Sequence, residues 1–115
     1  MKIGHFELFV RDPQAAKVFY RDVLDFEVTV EQDPGLVWLE KDGLEILLRT
    51  GTPSFASRYE DAPGGIVLYT EDLENARTAL EARGLNFKGT VDTEKCLTFT
   101  DPDGHWFQLV NTGNF

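Results

Sequence analysis

Hydrophobic and polar residues alternate along this chain in two rhythms that take turns. After Asp12-Pro13, apolar side chains fall at Ala16, Phe19, Tyr20, Val23 and Leu24, the spacing that gives a helix one buried face. The Asp12 carboxylate suits the cap of that helix, and proline suits its first position, where a missing N–H costs nothing. Asp72 opens a second helix with Leu73, Ala76, Ala79 and Leu80 as its stripe, and Gly84 terminates it. Elsewhere the period is two, which predicts strands. In the first half these are Ile3–Val10, Phe26–Glu31, Gly35–Glu40 and Leu44–Arg49. In the second they are Gly65–Thr70, Asn86–Val91, Lys95–Thr100 and His105–Asn111. Lys41-Asp42-Gly43 and Asp101-Pro102-Asp103-Gly104 supply the turns between paired strands.

Both halves therefore read strand, helix, strand, strand, strand, and they match residue by residue. Asp12 and Asp72 are 60 residues apart. Leu24-Asp25-Phe26 and Leu85-Asn86-Phe87 are 61 apart, as are Asp42-Gly43 and Asp103-Gly104, so one residue is inserted in the second copy. A repeat of this length is an architectural statement. The expected fold is α+β, two tandem βαβββ modules over about 1–51 and 64–115, joined by a linker over about 52–63. That linker, TGTPSFASRYEDAPGG with its flanks, is rich in Gly, Pro and Ser. Its Phe55 and Tyr59 are expected to pack onto something.

Bulk properties narrow the function. At 115 residues the chain is one domain by length, able to bury a core without disulfides. The net charge of −9 argues against nucleic acid, whose phosphates call for clustered Lys and Arg. It suits solubility, or a site that attracts a cation. No apolar run approaches a membrane span, and the opening MKIGHFELFV lacks the form of a signal peptide. A single cysteine, Cys96, fits a reducing compartment, and the expected location is the cytoplasm.

Two stretches, HFELFVRDPQAAKVFYRDVLDFEV and FTDPDGHWFQLV, resemble the two signatures of the vicinal oxygen chelate superfamily. This group includes glyoxalase I, bleomycin-resistance proteins, fosfomycin-resistance enzymes and extradiol dioxygenases. The elements that carry the likeness are His5 seven residues before Asp12, Phe19-Tyr20, Leu24-Asp25-Phe26 and the Asp-Pro-Asp-Gly turn. Asp25 replaces the family's usual glycine at a helix exit expected to be left-handed, a conformation Asp and Asn tolerate, and Asn86 is expected to do the same. The resemblance implies that each module curls its sheet, that two modules form a cup with the helices outside, and that two-module members commonly dimerise. The fold hosts many chemistries, so activity must be read from the site.

Metal-dependent members hold a divalent ion in the cup with ligands from the first and last strands of each module. The resemblance places those positions at His5, Leu47, Gly65 and Gln108. Leu and Gly offer no side-chain donor, and a glutamine carbonyl is weaker than a carboxylate, so the expectation is that no metal cofactor is held. A rearranged His5-Glu7-Glu45 site is the remaining route to a divalent ion, although two residues along a strand displace a side chain by about 6–7 Å. His5 is otherwise read as a hydrogen-bonded histidine. His105 and Cys96 are assigned no chemistry.

Strand parity puts His5, Glu7, Phe9, Glu45, Leu47, Arg49, Val67, Tyr69, Trp106, Gln108 and Val110 on the cup face, with Phe6, Leu8 and Val10 under the helix. The mixture of aromatic walls and few polar groups suits a small-molecule pocket. Phe9 and Trp106 suit stacking on a planar ligand, and Arg49 suits either a ligand anion or neutralisation of Glu7 and Glu45. Trp38 is core or rim. The first expectation is a small-molecule-binding protein of the bleomycin-resistance kind. The alternatives are a glyoxalase-like lyase or isomerase, or a dioxygenase, using His5, and a structural or regulatory module without ligand.

Overall fold

The computed structural model describes residues 1–32 and 35–112. The last residues assigned above to the second module, 113–115, lie outside them. The chain divides into two compact units, Met1–Pro53 and Ser54–Phe115, so the segment between the repeats goes with the second.

The first unit contains β1 (Phe6–Val10), α1 (Pro13–Asp22), β2 (Glu27–Gln32), β3 (Leu36–Lys41) and β4 (Leu44–Thr50). The second contains a 3₁₀ turn (Tyr59–Asp61), β5 (Ile66–Thr70), α2 (Leu73–Ala82), β6 (Gly89–Val91), β7 (Thr93–Thr100) and β8 (Trp106–Asn111). Each unit builds a four-stranded mixed sheet, ordered β1-β4-β3-β2 and β5-β8-β7-β6. The first strand of each module runs parallel to its last, which requires a crossover; the helix begins that crossover. This is the βαβββ repeat expected from the pattern.

Local chemistry sets the helix ends. The Asp12 carboxylate accepts from the N–H groups of Gln14 and Ala15, with Pro13 at the first turn, and Asp72 caps Asn75 in the same way. Asp25 takes φ 61°, as expected of the glycine replacement. Asn86 does not. The extra residue of the second exit falls between Ala82 and Leu85, where Gly84 takes φ 97° and relieves Asn86 of the left-handed turn. Leu85 then closes the helix through its N–H to the Leu80 carbonyl, 3.1 Å.

In the first sheet, Val10, Ile46, Leu48, Val37 and Leu39 are buried on the face that α1 covers with Ala16 and Tyr20. Tyr20 meets Phe26 edge to face at 5.4 Å. Phe6 departs from its expected place under the helix and stays 56% exposed, because α1 lies over β2, β3 and β4 rather than over the start of β1. The first strand also starts later than Ile3, since its ladder with β4 begins at Phe6. In the second sheet Phe99 stacks on Phe107 at 5.0 Å, with Phe87 edge-on to Phe99 at 5.7 Å. The sixth strand is shorter than the expected Asn86–Val91: Gly89 takes φ 127° and the ladder with β7 shifts register after Thr90. No helix among the described residues is long and apolar enough to cross a membrane.

The Asp-Pro-Asp-Gly turn is organised around one buried carboxylate. Asp101 accepts from the backbone N–H of Asp103 at 2.9 Å and of His105 at 2.8 Å, and the His105 ring approaches it at 3.1 Å. Its side chain is 0% exposed. His105 thus has a structural partner. Asp101→Ala would orphan these donors, and we expect it to lower stability by about 2–3 kcal/mol in urea titrations. A loss below about 0.5 kcal/mol would mean that water replaces the carboxylate without cost.

Candidate functional site

On the sheet face opposite α1, ladder register lines up Glu7, Leu47 and Trp38 across three strands, with Phe9 opposite Arg49 one step along. His5 precedes the strand but joins this set. Its Nε2 lies 2.8 Å from Glu7 Oε2, and its ring meets the edge of Trp38 at 4.6 Å. Arg49 Nη1 donates to the other Glu7 oxygen at 3.3 Å. Arg49 therefore neutralises Glu7, one of the two roles open to it from sequence. Trp38 belongs to this face, its indole N–H donating to Gln32 at 3.0 Å. Glu45 lies across from Glu40 in the β3–β4 ladder.

The His5 hydrogen bond is the largest influence on the Glu7 carboxyl; desolvation opposes it, and the Arg49 charge and hydrogen bond add to it, so the group is held below its ordinary 4.5. A depressed acid stabilises the fold above its unfolded pKa, and that contribution disappears as pH falls through the folded value.

The second sheet carries Gln108 between Val67 and Thr98, and Val110 between Tyr69 and Cys96. Val67, Tyr69, Cys96, Gln108 and Val110, with Asp92 and the start of β7 at Thr93–Lys95, line an open groove of about 580 Å³. Cys96 is half-buried, 3.5 Å from the Thr93 hydroxyl. Trp106 is 6% exposed, and its indole N–H donates to the Ala56 carbonyl at 2.9 Å.

Sequence reasoning missed the role of Tyr59. Gln108 Nε2 donates to the Tyr59 hydroxyl at 3.0 Å, and the Tyr59 ring meets Trp106 edge-on at 6.0 Å. A Cβ on Gly65 would lie 2.9 Å from that hydroxyl, so any side chain there would push the phenol from its present place. Phe55 packs against Gly104 with the same consequence for a side chain there. The one available signal was an aromatic pair in a linker otherwise poor in apolar residues.

The four positions at which metal-dependent relatives carry ligands do not fit an ion. Leu47 and Gly65 supply no donor, Gln108 is bonded to Tyr59, and His5 is bonded to Glu7. Nor does Glu45 complete a substitute set: among the described residues no group of three or more His, Cys, Asp or Glu comes together to hold a metal.

A family model for the Glyoxalase/Bleomycin resistance protein/Dioxygenase superfamily matches residues 2–109. The chain belongs to that superfamily. It is 27% identical over 115 residues to YetH of Bacillus subtilis, an uncharacterised protein, covering 94% of this chain and 96% of that one. Among solved structures it is similar to TnmS3, an antibiotic binding protein from a Streptomyces species, with a TM-score of 0.69, 25% identity, and 96% and 97% of the two chains covered. It also resembles a fosfomycin resistance protein, FosX, of Listeria monocytogenes, in complex with Mn(II) and a dihydroxypropylphosphonic acid. There the TM-score is 0.77 at 19% identity, covering 96% and 89% of the chains, a likeness of fold alone.

The Glu7 arrangement sets a pH test. The stability difference between the parent chain and Glu7→Gln should shrink as pH drops below 4.5. Urea midpoints measured across that range check it, and a difference independent of pH would show that Glu7 keeps no favoured ionised form in the fold.

Proposed function

We propose that this superfamily member binds a small organic ligand and does so without a divalent metal. The observation that carries the reading is the Tyr59 hydroxyl, set over Gly65 and bonded to Gln108 at 3.0 Å. Two of the positions that serve a metal in relatives are here committed to a tyrosine. The residues offered to the ligand are His5, Glu7, Phe9, Glu45, Leu47 and Arg49 in the first module and Tyr69, Trp106 and Gln108 in the second. The likeness to an antibiotic binding protein over nearly the whole chain supports binding rather than turnover.

A second reading, a lyase or isomerase or a dioxygenase acting through His5, is favoured by one contact. A 2.8 Å bond from Nε2 to Glu7 leaves Nδ1 as the open basic nitrogen of a neutral ring. A cytoplasmic setting goes with either reading, supported by a lone cysteine without a disulfide partner.

Elemental analysis of protein purified without a chelating tag should give well under one transition metal per chain. In a thermal-shift screen, organic ligands should raise the melting temperature while Mn(II), Zn(II), Ni(II) and Fe(II) do not. One tightly held metal per chain would overturn the reading.

We further propose a homodimer. Ile3, Phe6 and Phe9 are 96%, 56% and 51% exposed on or beside β1, an edge strand of its sheet. Sedimentation should give twice the chain mass, and Phe6→Lys should halve it. A monomer at high micromolar concentration would refute this.

A further inference from the structure

We infer that Gln108 and Tyr59 act as one uncharged recognition pair, and that the groove beside them takes a neutral planar carboxamide or lactam rather than an ion. The inference rests on the binding reading above and names its ligand class. Gln108 Nε2 donates to the phenol oxygen at 3.0 Å. That bond leaves the phenol O–H able to donate, and it leaves Gln108 with a second N–H and its carbonyl oxygen. If the amide is turned over, the phenol donates instead and the amide NH₂ stays open. In both arrangements Gln108, the member of the pair that lines the groove, is held by Tyr59 and keeps an N–H and a carbonyl lone pair for a ligand, with no formal charge.

The pair is also held in place before a ligand arrives. Gly65 leaves room for the Tyr59 hydroxyl and Trp106 flanks the ring, with its own N–H fixed at 2.9 Å on Ala56. Fixed partners reduce the ordering cost of binding. Gln108 lines the groove of about 580 Å³, next to Val67, Val110 and a Tyr69 ring that is 73% exposed. These are apolar or aromatic neighbours for a flat ligand.

A carboxamide carries an N–H donor and a C=O acceptor in one plane, which matches the pair. A carboxylate has no donor and an amidinium no acceptor. Either ion would also give up hydration that a neutral pair does not replace. The charged groups that line the groove, Asp92 in the bend before β7 and Glu94 and Lys95 at the start of β7, are exposed and of both signs.

Benzamide, benzoate and benzamidine have one shape and three charge states, and they make the test. Titrated into ¹⁵N-labelled protein, benzamide should move the Gln108 side-chain amide and Trp106 indole signals. It should bind at least about fivefold more tightly than either ion. Tyr59→Phe keeps the ring and removes only the hydroxyl, and should weaken benzamide about fivefold. Gln108→Glu keeps the size and adds a charge, and should turn the preference toward benzamidine. The inference is overturned if an ion moves the same signals at equal affinity, if Tyr59→Phe binds benzamide unchanged, or if benzamide leaves the Gln108 amide unmoved. A thermal-shift hit that leaves Gln108 silent would sink this inference and keep the binding reading; a screen with no organic hit would sink both.

Discussion

The parallel pairing of the first strand of each module with its last governs the rest of the structure. It cannot be closed by a tight turn, so a helix must cross over, and the helix claims one face of the sheet for the core. The other face is left for function. The same pairing brings Glu7 beside Leu47, Phe9 beside Arg49 and Val67 beside Gln108, residues some forty positions apart. Several side chains considered for the site, Glu7, Phe9, Leu47, Arg49, Tyr69 and Gln108 among them, owe neighbours to those two ladders.

Because these ladders alternate faces with a period of two, much of the site was legible in the sequence. Parity alone grouped Glu7, Phe9, Leu47 and Arg49, and the registers agree. The caps at Asp12 and Asp72 were legible too, because capping is a local exchange between a carboxylate and nearby N–H groups. What failed was non-local or irregular. Asn86 was assigned a left-handed turn because its copy Asp25 has one, yet an inserted glycine took that task. Phe6 has the right parity for the core, but parity does not say how far a helix extends over a sheet.

Tyr59 illustrates the harder limit. Linker residues have no period, so nothing in their spacing tells where a side chain lands. The complementary signals, a glycine at position 65 and an amide at position 108, each read as a missing metal ligand. Only when the phenol is seen above Gly65 and against Gln108 do the two losses become one arrangement. The chain shares its fold with FosX, seen with Mn(II), and with TnmS3, an antibiotic binding protein. Tyr59, which lies outside the two signature stretches, takes the space beside Gly65 and bonds Gln108.

The segment that carries Phe55, Ala56 and Tyr59 also ends the equivalence of the two halves. It packs on the second module at Gly104, Trp106, Gly65 and Gln108. A duplicated ancestor with interchangeable halves could be cut and rejoined at either repeat boundary. This chain cannot. Severing it near residue 53 keeps the aromatic segment with the sheet it serves, whereas severing it near residue 63 strips that sheet of its tyrosine. The natural seam of the protein therefore lies before the connecting segment, and permuted or split versions should respect it.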